Sequence, residues 1–384
     1  MLVPALTVVI ACYVAFIGWC AWRVGRARFE ATSDEDDLPR VAVLVAARDE
    51  EHTIGRCLDA LLAQDYPADR LTILVADDHS TDRTAEIVKR YEARTRRLVL
   101  AGDVDEPEPV SKTPEIRYVR VPDPSGLLRG KALAIHTATE QADAPVFLVT
   151  DADCAPNPRW ARGLVGAMKA DTGLVGGLTL METTTAFEGA QSLDWGYLLG
   201  AASALTEAGL PATAMGNNLA VRREAYEAVG GYPGVGFSVT EDHALFSAIA
   251  EQTPWRLRFP IYPDTLVRTF PARSLGHAYR QRRRWARGGL NAGPVLWATY
   301  VLAHLVHLLP IIGLVLAPAV GIAALAAKTG VDALHLGTVL RRSDGGRLRL
   351  GPLLLFEMWL LAYMSTLPLA LLLAPRIRWK GRLH

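Results

Sequence analysis

Two long stretches without a charged side chain bracket this sequence, and they restrict it more than any other feature. Residues 2–22 (LVPALTVVIACYVAFIGWCAW) and 295–327 lack Asp, Glu, Lys and Arg, although the 384 residues include 40 acidic and 41 basic side chains. About 20 apolar residues suffice to cross the hydrocarbon core of a bilayer as a helix. No Lys or Arg precedes the first run, whereas Arg23, Arg26 and Arg28 follow it. A cleavable leader has the reverse arrangement. Residues 1–28 therefore read as a retained anchor in the cell (inner) membrane, N-terminus outside and the following chain cytoplasmic.

The second run would be roughly 50 Å long as one helix, against a hydrocarbon core of about 30 Å. Pro310 and Pro318 offer breaks, so a hairpin, or a re-entrant piece plus a span, is expected. Residues 351–374 are a further span candidate with a break near Pro368. Arg341, Arg342, Arg347 and Arg349 precede it and Arg376, Arg378, Lys380 and Arg382 follow. Both clusters cannot be cytoplasmic if 351–374 crosses once, so the topology of the membrane region over 291–384 stays open.

Between these ends the pattern changes. After an acidic linker at 30–39, apolar strands are expected at Val41–Ala47, Leu71–Ala76, Arg117–Val121 and Val146–Thr150. Helices are expected at Asp49–Gln64, Thr84–Tyr91 and Gly130–Gln141. Strands alternating with helices predict an α/β domain with a parallel sheet, bounded here at 40–290. Residues 101–116 lack periodicity and read as a surface insertion. A helix (Pro156–Lys169), a strand (Gly173–Thr179) and a mostly uncharged stretch over 185–210, interfacial or core, complete the domain. A net charge of +1 gives no nucleic-acid footprint. Cys12, Cys20, Cys57 and Cys154 have neither metal nor disulfide-framework spacing.

Chemistry concentrates at a few stations. Val146–Thr150 runs into Asp151-Ala152-Asp153, two carboxylates at the carboxyl edge of the sheet, where open α/β sheets bind ligands. Hard oxygen ligands there suit Mg²⁺ or Mn²⁺ shared with a nucleotide. Asp77-Asp78 end another strand, and Thr240-Glu241-Asp242 come later. Near-adjacent carboxylates repel, so they imply a cation or hydrogen-bond donors between them. Lys131 follows Gly130 at a helix start, where its charge and backbone N–H groups can meet an anion. In Gln281-Arg282-Arg283-Arg284-Trp285, guanidinium groups suit diphosphate oxygens, and the indole suits a sugar face or a lipid-proximal platform.

In this order the motifs resemble the membrane-embedded family 2 glycosyltransferases: Asp-Asp-x-Ser-x-Asp at 77–82, Asp-x-Asp at 151–153, Thr-Glu-Asp at 240–242 and Gln-x-x-Arg-Trp at Gln281, Arg284 and Trp285. The likeness covers about residues 40–290. Gly216–Arg223, Gly230-Gly231-Tyr232 and Trp379-Lys380-Gly381-Arg382 resemble the ceramide glucosyltransferase-like branch. Ala46-Ala47-Arg48-Asp49-Glu50 departs from the family pattern, which has Pro at the start and Asn before the Glu.

The resemblance implies a GT-A (Rossmann-like) nucleotide-sugar domain with flanking transmembrane and interfacial helices. It implies that Asp78 holds uridine with Arg48 and Glu50 near it, and that Asp151 and Asp153 hold the metal on the diphosphate. It implies Asp242 as general base with Glu241 beside it, and Gln281, Arg284 and Trp285 closing the acceptor side. A single displacement would invert the anomeric carbon. The expected function is transfer from a UDP-sugar to a lipid or lipid-linked acceptor. The alternatives are a processive polysaccharide synthase, whose channel would need more spans or a dimer, and an inactive membrane subunit. No Gly-x-Gly-x-x-Gly follows the first strand, which speaks against a dehydrogenase.

Overall fold

The computed structural model describes residues 2–27, 37–101, 113–124, 126, 128–236, 238, 240–288, 294–373, 378–379 and 382–383. Most of the insertion at 101–116, Arg28, Val239, Arg376, Lys380 and Gly381 lie outside them. The chain divides into two compact units. One comprises 28–179 and 205–270; the other comprises 1–27, 180–204 and 271–384.

The first unit is built on a seven-stranded sheet. Its strands are β1 (Val41–Ala47), β2 (Leu71–Asp77), β3 (Glu115–Arg120), β4 (Val146–Asp151), β6 (Thr172–Gly176), β8 (Asn218–Arg222) and β9 (Arg256–Arg258). The short strands β5 (Ala155–Pro156), β7 (Thr179–Met181) and β10 (Val267–Thr269) lie outside that sheet, and β10 pairs with β5. The order β3-β2-β1-β4-β8-β6-β9 puts β2 on one side of β1 and β4 on the other. That reversal opens a crevice at the carboxyl ends of β1 and β4, the place where such sheets bind ligands. β3, β2, β1 and β4 are mutually parallel. The expected parallel sheet holds for these four central strands, and farther along β8 runs antiparallel to both β4 and β6. Neither pairing is a hairpin, because α6 (Ala186–Thr206) intervenes in the chain before β8.

Alternate residues of β1 serve opposite faces, as the strand period requires. Val41, Val43 and Val45 join α2 (Ile54–Leu62) and α5 (Trp160–Ala167) in one core. Ala42 and Leu44 join α4 (Lys131–Gln141) and α9 (Glu241–Gln252) in the other. The helix expected over Asp49–Gln64 is shorter at both ends. Asp49 has φ 53°, and Glu50–Thr53 forms a turn in which the Glu50 carbonyl accepts the Thr53 and Ile54 N–H groups. Conversely, α3 (Thr84–Ala101) outruns its expected end. Of Pro156–Lys169 only α5 is helical, because Ala155–Pro156 pairs with β10.

The second unit is helical. It contains α1 (Leu2–Arg26), most of α6 (Ala186–Thr206), α10 (Leu275–Gly288), α11 (Pro294–Leu316), α12 (Pro318–Ser343) and α13 (Leu350–Leu373); two short helices, α7 (Arg223–Ala228) and α8 (Gly231–Val235), belong to the sheet unit. Leu2–Arg26, Trp297–Leu316, Pro318–Ser343 and Leu350–Pro368 are each long and apolar enough to cross a membrane. The uncharged 295–327 run is divided at Ala317-Pro318 as expected, but Pro310 and Pro368 remain inside helices. An apolar helix tolerates the one lost backbone bond when its neighbours pack around it. Of the two readings of 185–210, the core helix holds: Leu193, Trp195, Tyr197, Leu199 and Ala202 are all buried.

Candidate active site

The carboxyl ends of β1, β2 and β4 are in register, with Ala47 opposite Asp77 and Ala46 opposite Asp151, so their following loops emerge side by side. The three acids of Asp77–Asp82 then separate in role. Asp77 accepts the Ser80 N–H at 3.0 Å and the Tyr118 hydroxyl at 2.9 Å, which shapes the loop. Asp82 accepts the Thr84 N–H at 2.9 Å and the Glu51 N–H at 3.0 Å, capping α3 and tying the β1 loop to it. Asp78 is buried, and among the described residues its oxygens meet the side chains of Arg48, Nη1 at 3.2 Å, and His79, Nδ1 at 3.3 Å. His79 Nε2 lies 3.0 Å from Asp123.

Asp49 and His79 are the two non-glycine residues with positive φ among those described, 53° and 59°, one in each of the loops after β1 and β2. Such strain persists where surroundings over-determine it, and it concentrates at functional loops. Asp49 Oδ1 is engaged by the Thr81 N–H at 2.8 Å and hydroxyl at 3.2 Å. It latches the two loops together. Glu50 Oε2 accepts the Thr53 hydroxyl at 2.8 Å and the Glu50 N–H donates to Thr84 Oγ1 at 2.8 Å.

A second cluster gathers around Lys131, the first residue of α4. Its ammonium is 2.5 Å from Asp151 Oδ1 and 3.8 Å from Glu241 Oε1, and donates to the Gly216 carbonyl at 3.0 Å. The Gly216 N–H donates in turn to Asp242 Oδ2 at 2.7 Å, while the His243 N–H donates to Asp242 Oδ1 at 2.8 Å. Gly216 thus couples the two sides through its backbone. A Cβ there would sit 2.8 Å from Asp242 Cβ and 3.1 Å from Lys131 Nζ, so only glycine fits. Burial alone would lower the Lys131 pKa, but Asp151, Glu241 and Asp242 outweigh it and hold the amine protonated well above its ordinary range. Asp153 is pushed up to about 6, by burial first and then by Asp151 and Glu50. A carboxylate pair that resists double ionisation is an arrangement a divalent cation relieves.

Among the described residues no three His, Cys, Asp or Glu side chains converge on a metal position. Asp151 and Asp153 supply two hard oxygen donors. They fit a cation that takes its remaining ligands from diphosphate oxygens and water, as Mg²⁺ does.

Gln281, Arg284 and Trp285 belong to the helical unit, on α10. Trp285 stacks inside that unit: the Arg282 guanidinium lies 4.3 Å from its ring centroid and the Trp195 ring 5.2 Å away. The sequence reading missed the residue that fixes this, Asp194, which is fully buried and ion-paired with Arg282. An acid in the middle of a helix whose one other charged residue is Glu188 in its first turn was the available signal. Asn218, quoted above only as a branch motif, is a buried joint: Nδ2 donates to the Leu178 and Thr265 carbonyls and Oδ1 accepts Trp160 Nε1.

Comparisons with known proteins agree with this architecture. The model for glycosyl transferase family 2 matches residues 42–230, and that for glycosyl transferase family group 2 matches 146–376. A probable glycosyltransferase, YdaM, from Bacillus subtilis is 28% identical over 268 residues, covering 66% of this chain and 56% of YdaM. The beta-monoglucosyldiacylglycerol synthase of Synechocystis sp. is 26% identical over 259 residues, covering 65% of this chain and 48% of the synthase. The chain thus matches about half the length of these two relatives. The solved structure of the mannosyltransferase PcManGT from Pyrobaculum calidifontis, in complex with GDP-Man and Mn²⁺, covers 97% of this chain and 98% of its own at 24% identity and a TM-score of 0.60. That likeness bears on the fold, which is GT-A. With a family model spanning more than half of its length, the chain belongs to glycosyl transferase family group 2.

Proposed function

We propose that this protein transfers a sugar from a UDP-sugar to a lipid or lipid-linked acceptor, with inversion. The observation that carries this reading is the Lys131 cluster. It joins Asp151, a ligand proposed for the donor side, to Glu241 and Asp242, proposed for the acceptor side, through one ammonium and the Gly216 backbone. The Synechocystis relative's name and the four helices able to cross a membrane support a lipid acceptor. The GDP-Man and Mn²⁺ in the PcManGT complex support a nucleotide sugar and a divalent metal.

In this reading Asp78, steadied by Arg48, holds the base, with Glu50 in the adjoining turn. Asp151 and Asp153 hold Mg²⁺ or Mn²⁺, which when bound stabilises charge on the departing diphosphate. Lys131 adds positive charge on the same side. Asp242 receives the proton of the acceptor hydroxyl as that oxygen bonds to the anomeric carbon and the carbon–phosphate-oxygen bond breaks. Each of its oxygens already accepts one backbone N–H, which orients the carboxylate and leaves lone pairs for the incoming proton. Gln281, Arg284 and Trp285 serve the acceptor side. We assign catalysis to residues 40–290 and the cytoplasmic face of the cell membrane. A cysteine at the exposed Arg94 should then meet an impermeant thiol reagent only after the membrane is opened.

The deciding experiment supplies membranes with labelled UDP-glucose, UDP-galactose, UDP-N-acetylglucosamine and GDP-mannose. Label from a UDP-sugar in the solvent-extractable lipid is the expected result. Label in a polymer favours the processive synthase; label from GDP-mannose alone overturns the uridine assignment.

A further inference from the structure

We propose that Asp194 and Arg282 are positioning residues for the Gln281/Arg284/Trp285 box; this rests on the acceptor-side reading of that box. Asp194, on α6, is fully buried, and Arg282, on α10, is nearly so. A carboxylate so placed is retained only if it is paired and hydrogen-bonded. Asp194 is both: Oδ2 accepts Arg282 Nε at 2.6 Å, with Nη2 alongside, and Trp359 Nε1 at 3.1 Å; Oδ1 accepts the Tyr363 hydroxyl at 3.1 Å. Three helices, α6, α10 and α13, therefore converge on one carboxylate.

The guanidinium does something a structural ion pair alone would not require. While its edge is held by Asp194, its face covers Trp285, with Cζ 4.3 Å from the ring centroid. Trp195, the neighbour of Asp194 in sequence, contacts the same indole with centroids 5.2 Å apart and planes inclined at 57°. Both contacts on the box tryptophan thus originate from the Asp194 anchor. Lysine offers a point charge and cannot present an edge to a carboxylate and a face to a ring together. A second tie, the Tyr279 hydroxyl donating to Thr366 Oγ1 at 3.1 Å, also fastens α10 to α13 but touches no box residue. Reacting groups held loosely by even 1 Å lose much of their rate, so the anchor governs turnover rather than nucleotide binding.

The test uses the full chain in lipid nanodiscs. Arg282→Lys keeps the charge opposite Asp194 but not the stacked plane; Asp194→Asn keeps an acceptor for Trp359 or Tyr363 but not the charge. Both should lower kcat ten- to a hundredfold with the labelled donor selected by the panel above. UDP affinity measured by calorimetry with Mg²⁺ should not change. Acrylamide quenching of Trp285, read as the difference from the same chain carrying Trp285→Phe, should rise in both variants; this arm needs no donor. A folded Arg282→Lys chain with wild-type kcat and quenching overturns the proposal. If Arg282→Lys fails to fold, Tyr363→Phe decides, since it removes one hydrogen bond and leaves the ion pair. Raised quenching with reduced kcat sustains the proposal, and wild-type behaviour overturns it. If Gln281→Ala, Arg284→Ala and Trp285→Ala all transfer normally, the acceptor-side reading itself fails; if they lose transfer while Arg282→Lys does not, only the positioning fails.

Discussion

Charge is arranged differently in the two units. At the strand ends of the sheet unit, Lys131 and Asp151 keep 25% and 33% of their side-chain surface exposed, and Arg48 keeps 28%. Negative groups there outnumber positive ones: Asp151, Glu241 and Asp242 surround one lysine, and Asp153 lies nearby with Glu50. In the helical unit, Lys328 and Asp332 are 2% and 0% exposed, and Asp194 is 0% exposed against Arg282 at 6%. Lys328 donates to Asp332 at 2.7 Å and also to Glu357, and Asp332 accepts the Tyr13 hydroxyl at 2.7 Å. Half-exposed, electrically unbalanced clusters can accept a charged ligand. Closed, internally paired ones hold helices together or aim a neighbour.

The sharpest way to break that contrast is at the unbalanced side. Asp153→Ala should abolish transfer and weaken UDP binding in Mg²⁺ while leaving the protein folded; chelator should likewise abolish transfer by the unsubstituted chain, with rescue by Mg²⁺ or Mn²⁺. Full activity in chelator would remove the metal from the reading. Asp242→Asn should slow transfer by about 10²–10⁴, the usual contribution of a positioned general base, with UDP affinity little changed by calorimetry. Near wild-type transfer would pass the proton to Glu241 or another group.

On the closed side, Lys328→Met leaves two carboxylates without their cation and should cost about 3–5 kcal/mol of stability, read from thermal unfolding in detergent. Adding Asp332→Leu and Glu357→Leu should recover most of that loss. A single variant that melts like wild type would show that the buried charges do not secure these helices.

A smaller effect follows from pH. Asp153 is raised from the ordinary carboxylate range of about 4 to about 6, so without metal the folded chain binds this proton more tightly than the unfolded chain does. Stability should therefore fall as pH rises from about 4 through about 6. Metal-dependent UDP binding should run the other way and weaken as pH drops below about 6, because the proton competes for the same oxygen. Melting curves across that range should lose this slope in Asp153→Asn. The smallest effect belongs to Asp49. Alanine at its positive φ, without the bonds to Thr81, should cost about 1 kcal/mol in a melt, and Asn, which tolerates that conformation, should cost less.

Much of the sheet unit was legible beforehand because its strands are short apolar runs with acids at their ends. Val146–Asp151 lies within one residue of its expected span, and Asp151 and Asp153 emerge where a doubly wound sheet binds ligands. Helix ends were less legible. The turn at Glu50–Thr53 depends on Thr84 and Asp82, which belong to a different loop. Asp77, Asp78 and Asp82 look equivalent as letters, and only their partners separate a loop brace and a helix cap from the buried carboxylate facing Arg48.

What the sequence determined by itself was everything set by spacing along the chain: β-strand and helix periodicities, the order of the motifs and the uncharged runs. Tertiary structure decided the antiparallel insertion of β8, the coupling of Lys131 to Gly216 across 85 residues and the pairing of Asp194 with Arg282 across 88. The physical reason is that local pattern depends on which side chains can bury a face together. An ion pair between distant segments exists only after sheet order and helix packing have brought both ends to one place, and nothing in either segment alone specifies its partner.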